Sequence, residues 1–454
     1  MVTTKLFNGK VTTNQGLVVG AWYVNLALVI AVWATTSADL LSSGNAGNIA
    51  LAFGRLFGLF AATFALTQFL LMGRIAWIEK PFGLDHLASY HRFNGYAAIA
   101  FILIHAPLVI LGYSLAAHVN YFTQYIQVLF HFEHVLWAGV SEVLFIAVVA
   151  SSIYIVRKRL KFESWYYVHL LVYAAIILAF FHQLAVGGSF LGHPLARAYW
   201  IAVYSFVAVN VLIWRFGLPV FNLVRFNFRV DRVVPETASS SSIYINGKHL
   251  DRFGVKPGQY VLVRFLSGKF IFQEHPFSVS AVPVDNQFRL TVRSLGDYTS
   301  TVPKLKPGSR VLVSGPFGRF TSAVAQTNKR LFIAGGVGIT PLGTMIKESL
   351  AARQDSVLLY ANRSLDDIIF KNELTSLKKL GLRLIPVLSA APSDYSGETG
   401  YVDGSLIKRL VPDFAERDVF VCGPQPMMDG VITDLQTTDL PPTQLHFERF
   451  ALHN

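Results

Sequence analysis

"HRFNGYAAIAFILIH", residues 91–105, begins and ends with histidine, and the run between is apolar enough for the interior of a bilayer. His91 and His105 are 14 residues apart. On a helix rising about 1.5 Å and turning about 100° per residue they stand roughly 21 Å apart and within about 40° of one face. A second stretch, "HLLVYAAIILAFFH", repeats the arrangement with His169 and His182, 13 residues apart. That is about 19.5 Å and a rotation of about 220°. Either this second helix is locally distorted, or its two imidazoles serve sites turned relative to each other.

The chain has 454 residues, a mean hydropathy of +0.44 and 15% charged residues, a poor match to one water-soluble domain. A hydrocarbon core of about 30 Å takes roughly 20 helical residues to cross. Runs of that kind lie near Leu17–Leu40, Ile49–Met72, Phe93–Leu115, Val135–Val156, Trp165–Val186 and Ala196–Leu218. All six precede residue 220, beyond which short alternating strands, turn glycines and ordinary helical patterns predict a water-soluble half. The first run is longer than a signal-peptide core and lacks a small-residue cleavage site, so it is kept as a span. Cys422 is the only cysteine, which excludes an intrachain disulfide and a cysteine-only metal cluster.

Lys and Arg outnumber Asp and Glu by 12 to 6 up to residue 220 and by 27 to 21 after it, with no basic block. Nucleic acid is therefore not an expected partner. The cations of the first half follow its loops instead. Lys5 and Lys10, then Arg74, Lys80 and Arg92, then Arg157, Lys158, Arg159 and Lys161 occupy alternate connections, while 41–48, 116–134 and 187–195 hold no Lys or Arg. The positive-inside bias predicts that both termini and the soluble half are cytoplasmic, and the expected location is the plasma (inner) membrane.

In that orientation spans three and five both run outward, so His91 and His169 share the cytoplasmic leaflet and His105 and His182 the outer one. A single membrane histidine is accounted for by a bond to a neighbouring carbonyl or a water. Four at matched depths suit metal, because neutral imidazole binds metals well. Iron between two histidines of different helices is the way a bundle carries a low-spin haem. His86, His118, His131, His134 and His193 are expected in solvated loops. Arg55, Glu142 and Arg197 place charge in or at the edge of the bilayer, which is costly. Two readings stand: Arg55 pairs with Glu142, or Arg55 and Arg197 meet haem propionates or an electron acceptor.

The soluble half carries four motifs in order. "PGQYVLVRF", 257–265, precedes "HPFSVSA", 275–281, where Pro276 keeps the chain extended. There Ser278 can hydrogen-bond the N5 edge of a flavin. "RLTVRSLGDYTSTV", 289–302, ends a strand at Gly296 and opens a predicted helix at Thr299 and Ser300, whose free N–H groups, with Arg293, suit a pyrophosphate. "RLFIAGGVGITPL", 330–342, is a strand, a glycine loop and Pro341 at a helix start. "LLYANRSLDDIIFKNEL", 358–374, puts Arg363 and Ser364 at a strand end, where an adenosine 2′-phosphate is met; the plainer reading of Arg363 is a surface cation. "VFVCGPQPMM", 419–428, sets Cys422 at another strand end, either to touch a nicotinamide ring or to pack as a small hydrophobe.

In this order the motifs of the soluble half resemble the ferredoxin NADP reductase superfamily. Joined to six spans with paired histidines, the chain resembles the NADPH oxidase and ferric reductase family from about residue 49 onward. The resemblance implies a six-helix transmembrane α bundle with two haems over 1–220, an antiparallel β-barrel FAD domain over 222–322 and an α/β Rossmann-like NADPH domain over 328–454. It implies FAD on His275, Pro276, Phe277, Ser278, Arg293, Gly296 and Thr299. NADPH falls to Gly335, Gly336, Gly338, Thr340, Pro341, Arg363, Ser364, Cys422, Gly423 and Pro424. Phe450 in "HFERFALHN" matches an aromatic that shields the flavin in family members, although four residues follow it here.

The implied activity is a relay from NADPH through FAD and two b-type haems, His91 with His169 and His105 with His182, to a small-molecule acceptor outside. Oxygen, giving superoxide, suits the oxidase branch, whose outer-leaflet arginine Arg55 resembles. Val109 stands where animal oxidases often carry another histidine, a departure that favours the alternative, reduction of a ferric chelate or other metal. A haem subunit feeding a partner protein is a further alternative, opposed by the fused nucleotide module. With no calcium-binding loop and no regulatory insertion, no obligate activator subunit is expected. The preference for NADPH over NADH rests on Arg363.

Overall fold

The computed structural model describes residues 13–153, 156, 159–160 and 162–448, and the chain divides into two compact units after Arg215. Lys5, Lys10, Arg157, Lys158, Lys161 and Phe450 lie outside the described residues.

The first unit is helical: α1 (Thr13–Thr36), α2 (Ala38–Ser42), α3 (Ala46–Met72), α4 (Ala76–Phe82), α5 (Leu84–Ala117), α6 (Tyr121–His131), α7 (Val135–Ser152), α8 (Phe162–Val186) and α9 (Pro194–Val211). Among the described residues, six stretches are long and apolar enough to cross a membrane: Thr13–Thr36, Ala46–Met72, His86–Ala117, Val135–Ser152, Ser164–Val186 and Pro194–Phe226. Large side chains such as Leu17, Tyr23, Trp137, Val143 and Ile177 face outward, while Ala52, Ala61, Ala62, Thr63 and Ala65 of α3 are buried. Apolar surface outside and small residues inside is the packing that lipid imposes, because helices there associate by close contact rather than by hydrophobic exclusion.

Helices α3 and α5 pack against each other more extensively than any other pair among the described residues. A Cβ on Gly54 would lie 2.8 Å from Val109 Cγ2, and one on Gly112 would lie 2.9 Å from the Gly47 carbonyl oxygen. Gly47, Gly54 and Gly58 follow one another at helical spacing, so the two backbones meet along one groove. Helix α8 is one uninterrupted α-helix of 25 residues. The distortion considered for it is not there, and its two histidines leave it in different directions. His86 and His131, expected in loops, are helical residues of α5 and α6.

The second unit begins inside the sixth apolar stretch. A π-helical turn, Leu212–Gly217, leads into α10 (Leu218–Phe226), where Phe226 joins the barrel core and Asn222 Nδ2 donates to the Val313 carbonyl at 3.3 Å. The compact units therefore part slightly before the expected residue 220. The barrel has strands β1 (Arg229–Thr237), β2 (Ser240–Asn246), β3 (Tyr260–Phe265), β4 (His275–Val284), β5 (Gln287–Arg293) and β6 (Val311–Phe317). They run antiparallel in the order β1-β2-β5-β4-β3-β6. Val230 N donating to Ser309 O at 2.9 Å and Val311 N to Phe228 O at 3.0 Å close the ring. Alternation along β5 sends Phe288, Leu290 and Val292 into the barrel and Arg289, Thr291 and Arg293 to its outer face.

The rest of the second unit is a parallel sheet of β7 (Lys329–Gly335), β8 (Asp355–Asn362), β9 (Arg383–Leu388), β10 (Glu398–Thr399), β11 (Asp418–Cys422) and β12 (Leu445–Phe447), ordered β10-β9-β8-β7-β11-β12. Helices α11 (Ile339–Ala351), α12 (Lys371–Lys378), α13 (Gly404–Leu410) and α14 (Gln425–Gln436) lie between its strands in the chain. The strand order reverses beside β7, so the crevice at the carboxyl ends of β7 and β11 is where such a sheet takes its ligand.

Asp418 fastens this sheet to its incoming connector. Its fully buried carboxylate accepts from Gln326 N at 2.9 Å, Thr327 N at 2.7 Å, Arg330 Nη1 at 3.0 Å and His446 Nε2 at 2.9 Å. Burial pushes the Asp418 carboxyl up, but the bonds from His446 and Thr327 outweigh it and hold it below the usual carboxylate range. A depressed folded pKa contributes stability above the unfolded value, and that stability is lost as pH falls through the folded one. Asp418→Asn is expected to cost about 3–5 kcal/mol, as loss of one partner of a buried ion pair does. Thermal unfolding of the two proteins should differ by that much at pH 7, and the difference should begin to shrink near the unfolded carboxylate value of about 4 and vanish only below the folded one.

Candidate functional site

In the helical unit, α5 and α8 bring the four histidines together in two pairs. The rings of His91 and His169 have centroids 6.0 Å apart. One metal ion with bonds of about 2 Å to each imidazole nitrogen fits between rings so spaced. His105 and His182 line a common cavity of about 230 Å3. Gly58 makes room there, since a Cβ on it would lie 2.6 Å from His105 Nδ1.

Hydrogen bonds fix which nitrogen is free on two of the rings. His105 Nδ1 is 2.8 Å from the Gly54 carbonyl, which can only accept, so the proton is on Nδ1 and the lone pair on Nε2. The Ser152 hydroxyl donates to Val148 O at 2.7 Å and accepts from Trp165 Nε1 at 3.1 Å. With its one proton used, Ser152 Oγ can only accept from His169 Nδ1 at 3.3 Å, which again leaves Nε2 basic. The Nδ1 atoms of His91 and His182 are buried without a hydrogen bond of normal geometry, beside the backbone of Gln68 and Ala179. Four half-buried imidazoles in two pairs fit two bis-histidine haems.

Arg55 lines the outer cavity with Tyr113, Glu142, Val109 and Gln183. It does not pair with Glu142: its Nη1 reaches the Thr36 carbonyl at 3.4 Å, and its guanidinium lies against Gly188, where a side chain would have no room. Arg197 is exposed on α9 and does not line this cavity.

In the second unit, a cleft of about 450 Å3 runs between barrel and sheet. Ser239, Ser240 and Arg293 line it from the barrel, and Gly335, Gly336, Arg363 and Pro424 from the sheet. Gly336 takes φ +50°, a conformation costly for other residues, and its carbonyl accepts from Tyr360 OH at 3.0 Å. Gly338 and Gly423 allow the loops after β7 and β11 to touch: a Cβ on Gly338 would meet the Cys422 carbonyl and lie 2.8 Å from Gly423 Cα. Thr340 bonds the Val337 carbonyl at 2.8 Å, and Thr340 and Pro341 are buried in the first turn of α11. These residues shape the loop without lining the cleft.

Cys422 is fully buried in the core and also stays out of the cleft. Burial, and then Glu448, raise its thiol well above the ordinary value, so it is neutral. Ser364 is tied to Asp367 Oδ2 through its hydroxyl at 2.9 Å and its N–H at 3.2 Å, whereas Arg363 is exposed at the rim. Asn362, buried beside Arg363, lines the cleft and was not singled out in the sequence, nor were Asp367, Ser389 and Tyr401. For Asn362 the signal was there, one residue before the arginine at the strand end.

On the barrel, His275 stacks on Tyr298 with ring centroids 3.8 Å apart, and its Nε2 is 3.2 Å from Gln273 Oε1. Pro276 is half-buried on β4, and Phe277 packs against the barrel core. Ser278 is buried opposite Tyr260. The predicted helix at Thr299 is a 3-10 turn, Thr299–Lys304. Thr299 Oγ1 accepts from Leu295 N at 2.9 Å and Gly296 N at 3.1 Å, so those two N–H groups are already used. A Cβ on Gly296 would meet nothing within 4 Å, and Tyr298 Oη is buried without a partner. An open glycine edge and an orphaned phenol beside β4 fit a flavin on this face.

Three family models match in succession: the ferric reductase like transmembrane component over 57–180, the FAD-binding domain over 227–321 and the oxidoreductase NAD-binding domain over 332–432. The three in this order are the architecture of the NADPH oxidase and ferric reductase family. The second half of the chain is also similar to curated proteins. The glycine betaine monooxygenase reductase subunit of Pseudomonas aeruginosa is 29% identical over 49% of this chain and 63% of its own length. That of Chromohalobacter salexigens is 30% identical over 50% and 64%. The probable dihydroorotate dehydrogenase B (NAD(+)), electron transfer subunit, of Methanothermobacter thermautotrophicus is 30% identical over 49% and 76%. The chain thus spans just under two thirds of the monooxygenase reductase subunits.

The glycine contact at the sheet crevice is open to direct test. Gly338→Val would drive the β7 loop off Cys422 and Gly423 and is expected to weaken dinucleotide binding at least about tenfold. Titration calorimetry with NAD+ and with NADP+ measures the loss, and flavin content should be unchanged.

Proposed function

We propose that this protein carries electrons from cytosolic NADPH, by way of FAD and two bis-histidine b-type haems, to an acceptor on the outer face of the plasma membrane, reducing O2 to superoxide. The observation that carries this reading is the pairing of four half-buried imidazoles, with His105 and His169 held as Nε2 bases by the Gly54 carbonyl and Ser152. When bound, flavin divides the two electrons of a hydride into single steps that haem iron can accept.

The chain's own groups bind and orient. Arg293, Ser239 and Ser240 face Gly335 and Gly336 across the cleft and suit a pyrophosphate, and Arg363 suits the adenosine 2′-phosphate. Ser278, on β4, suits the flavin edge. Arg55, beside His105 and His182, supplies positive charge where an anionic product forms. The loop cations support a cytoplasmic location for both termini and for the dehydrogenase half. No activator subunit is required in this reading.

Reduction of a ferric chelate by the same route is the second reading. It is favoured by the transmembrane family model and by Val109 in the outer cavity. Purified protein loaded with FAD and haem and supplied with NADPH separates the two. Cytochrome c reduction abolished by superoxide dismutase is expected, falling at least about tenfold in Arg55→Ala. Ferric chelate reduction without superoxide would favour the second reading. Arg363→Ala is expected to lower kcat/KM for NADPH by about 10–100-fold and leave that for NADH nearly unchanged.

A further inference from the structure

The outer face of β5 carries an arginine that the relay does not use. Arg289 points away from the barrel core, where solvent would be expected, yet it is only 6% exposed. The nucleotide domain covers it. Its Nη1 donates to Glu373 Oε2 at 3.0 Å and its Nη2 to Glu373 Oε1 at 3.3 Å, a forked pair from β5 to α12. Its guanidinium lies 4.0 Å over the Phe370 ring. On the barrel side, Nε donates to Ser280 Oγ at 3.1 Å and Nη2 to the Ser280 carbonyl at 3.0 Å. The side chain is therefore held from both domains.

Each end of this clasp leads to the nucleotide cleft. Arg293 is four residues along the same face of β5 and lines the cleft from the barrel; a Cβ on Gly336 would lie 3.4 Å from Arg293 Nη1. On the other side, Glu373 also accepts from Lys347 Nζ at 2.7 Å, and Lys347 is on α11, which begins at the glycine loop. A strand and a short helix are stiff over these distances. The spacing of Arg289 from Glu373 is thereby transmitted to the gap between Arg293 and Gly336.

We infer that Arg289 and Glu373 are positioning residues that set the width of the nucleotide cleft, and so the approach of the dinucleotide to the flavin. The inference rests on the reading of the cleft as the nicotinamide dinucleotide site. Loosening the clasp widens the gap, weakens the donor's hold and slows flavin reduction, with the flavin still bound.

The test uses the full chain in detergent with FAD bound, under anaerobic conditions. Flavin bleaching is followed by stopped flow against NADPH concentration, with dithionite as a reductant that does not need the cleft. Glu373→Gln is expected to raise the NADPH concentration for half-maximal reduction about tenfold and to slow the saturated rate. Glu373→Asp, which keeps the charge but shortens the reach, is expected to show a smaller shift in the same direction. Dithionite reduction and FAD content should equal wild type. Wild-type concentration dependence in flavin-loaded Glu373→Asp and Glu373→Gln overturns the inference. If Glu373→Gln loses its flavin, Glu373→Asp decides alone. A purely structural role would lower flavin content or melting temperature and leave the concentration dependence of the loaded fraction unchanged. A wild-type flavin that neither NADPH nor NADH reduces would instead refute the reading of the cleft.

Discussion

Lipid offers no hydrogen bonds, and that constraint governs the helical unit. An imidazole placed there must be satisfied by backbone, by another side chain or by a metal. Four histidines on α5 and α8 meet the constraint in two ways at once. One nitrogen of His105 and of His169 bonds the protein, and the other is left as a base facing a partner ring or a cavity. The close contact of α3 and α5 through glycine serves this end, because a side chain at Gly58 would occupy the place of the His105 ring.

The soluble half solves a different problem by the same means. Its ligand must reach the backbone at the reversal of the strand order, and Gly338 and Gly423 let two loops meet there with no side chain between them. Tyr360 and α11 then hold the loop shape, while Arg293 of the barrel faces it. Binding therefore depends on two domains being held at a fixed distance, which gives the buried Arg289 its importance.

Much of this was legible in the sequence, for physical reasons that can be named. Helical rise alone gives the depths of His91 and His105, and apolar length gives the spans. Strand-end glycines mark the crevice because only backbone approach requires them. What was not legible depended on which distant segments meet. Ser152 and His169 are on different helices, and nothing in their spacing shows that the hydroxyl proton is spent on Val148. Arg289 and Glu373 are 84 residues apart, and alternation alone would expose Arg289. The Arg55–Glu142 pairing failed because Gly188 and the Thr36 carbonyl hold the guanidinium elsewhere. The helix expected at Thr299 gave way to a 3-10 turn, and its threonine hydroxyl takes up the N–H groups of Leu295 and Gly296 in the loop before it.

The central claim is that four imidazoles hold two metal–porphyrin centres at two depths. A pyridine haemochrome assay on the purified chain, expressed with porphyrin supply, measures it most directly. The account predicts two b-type haems per polypeptide, one remaining in His91→Leu and one in His105→Leu. A colourless wild-type chain would contradict it, as would two haems retained when His91, His105, His169 and His182 are all leucine.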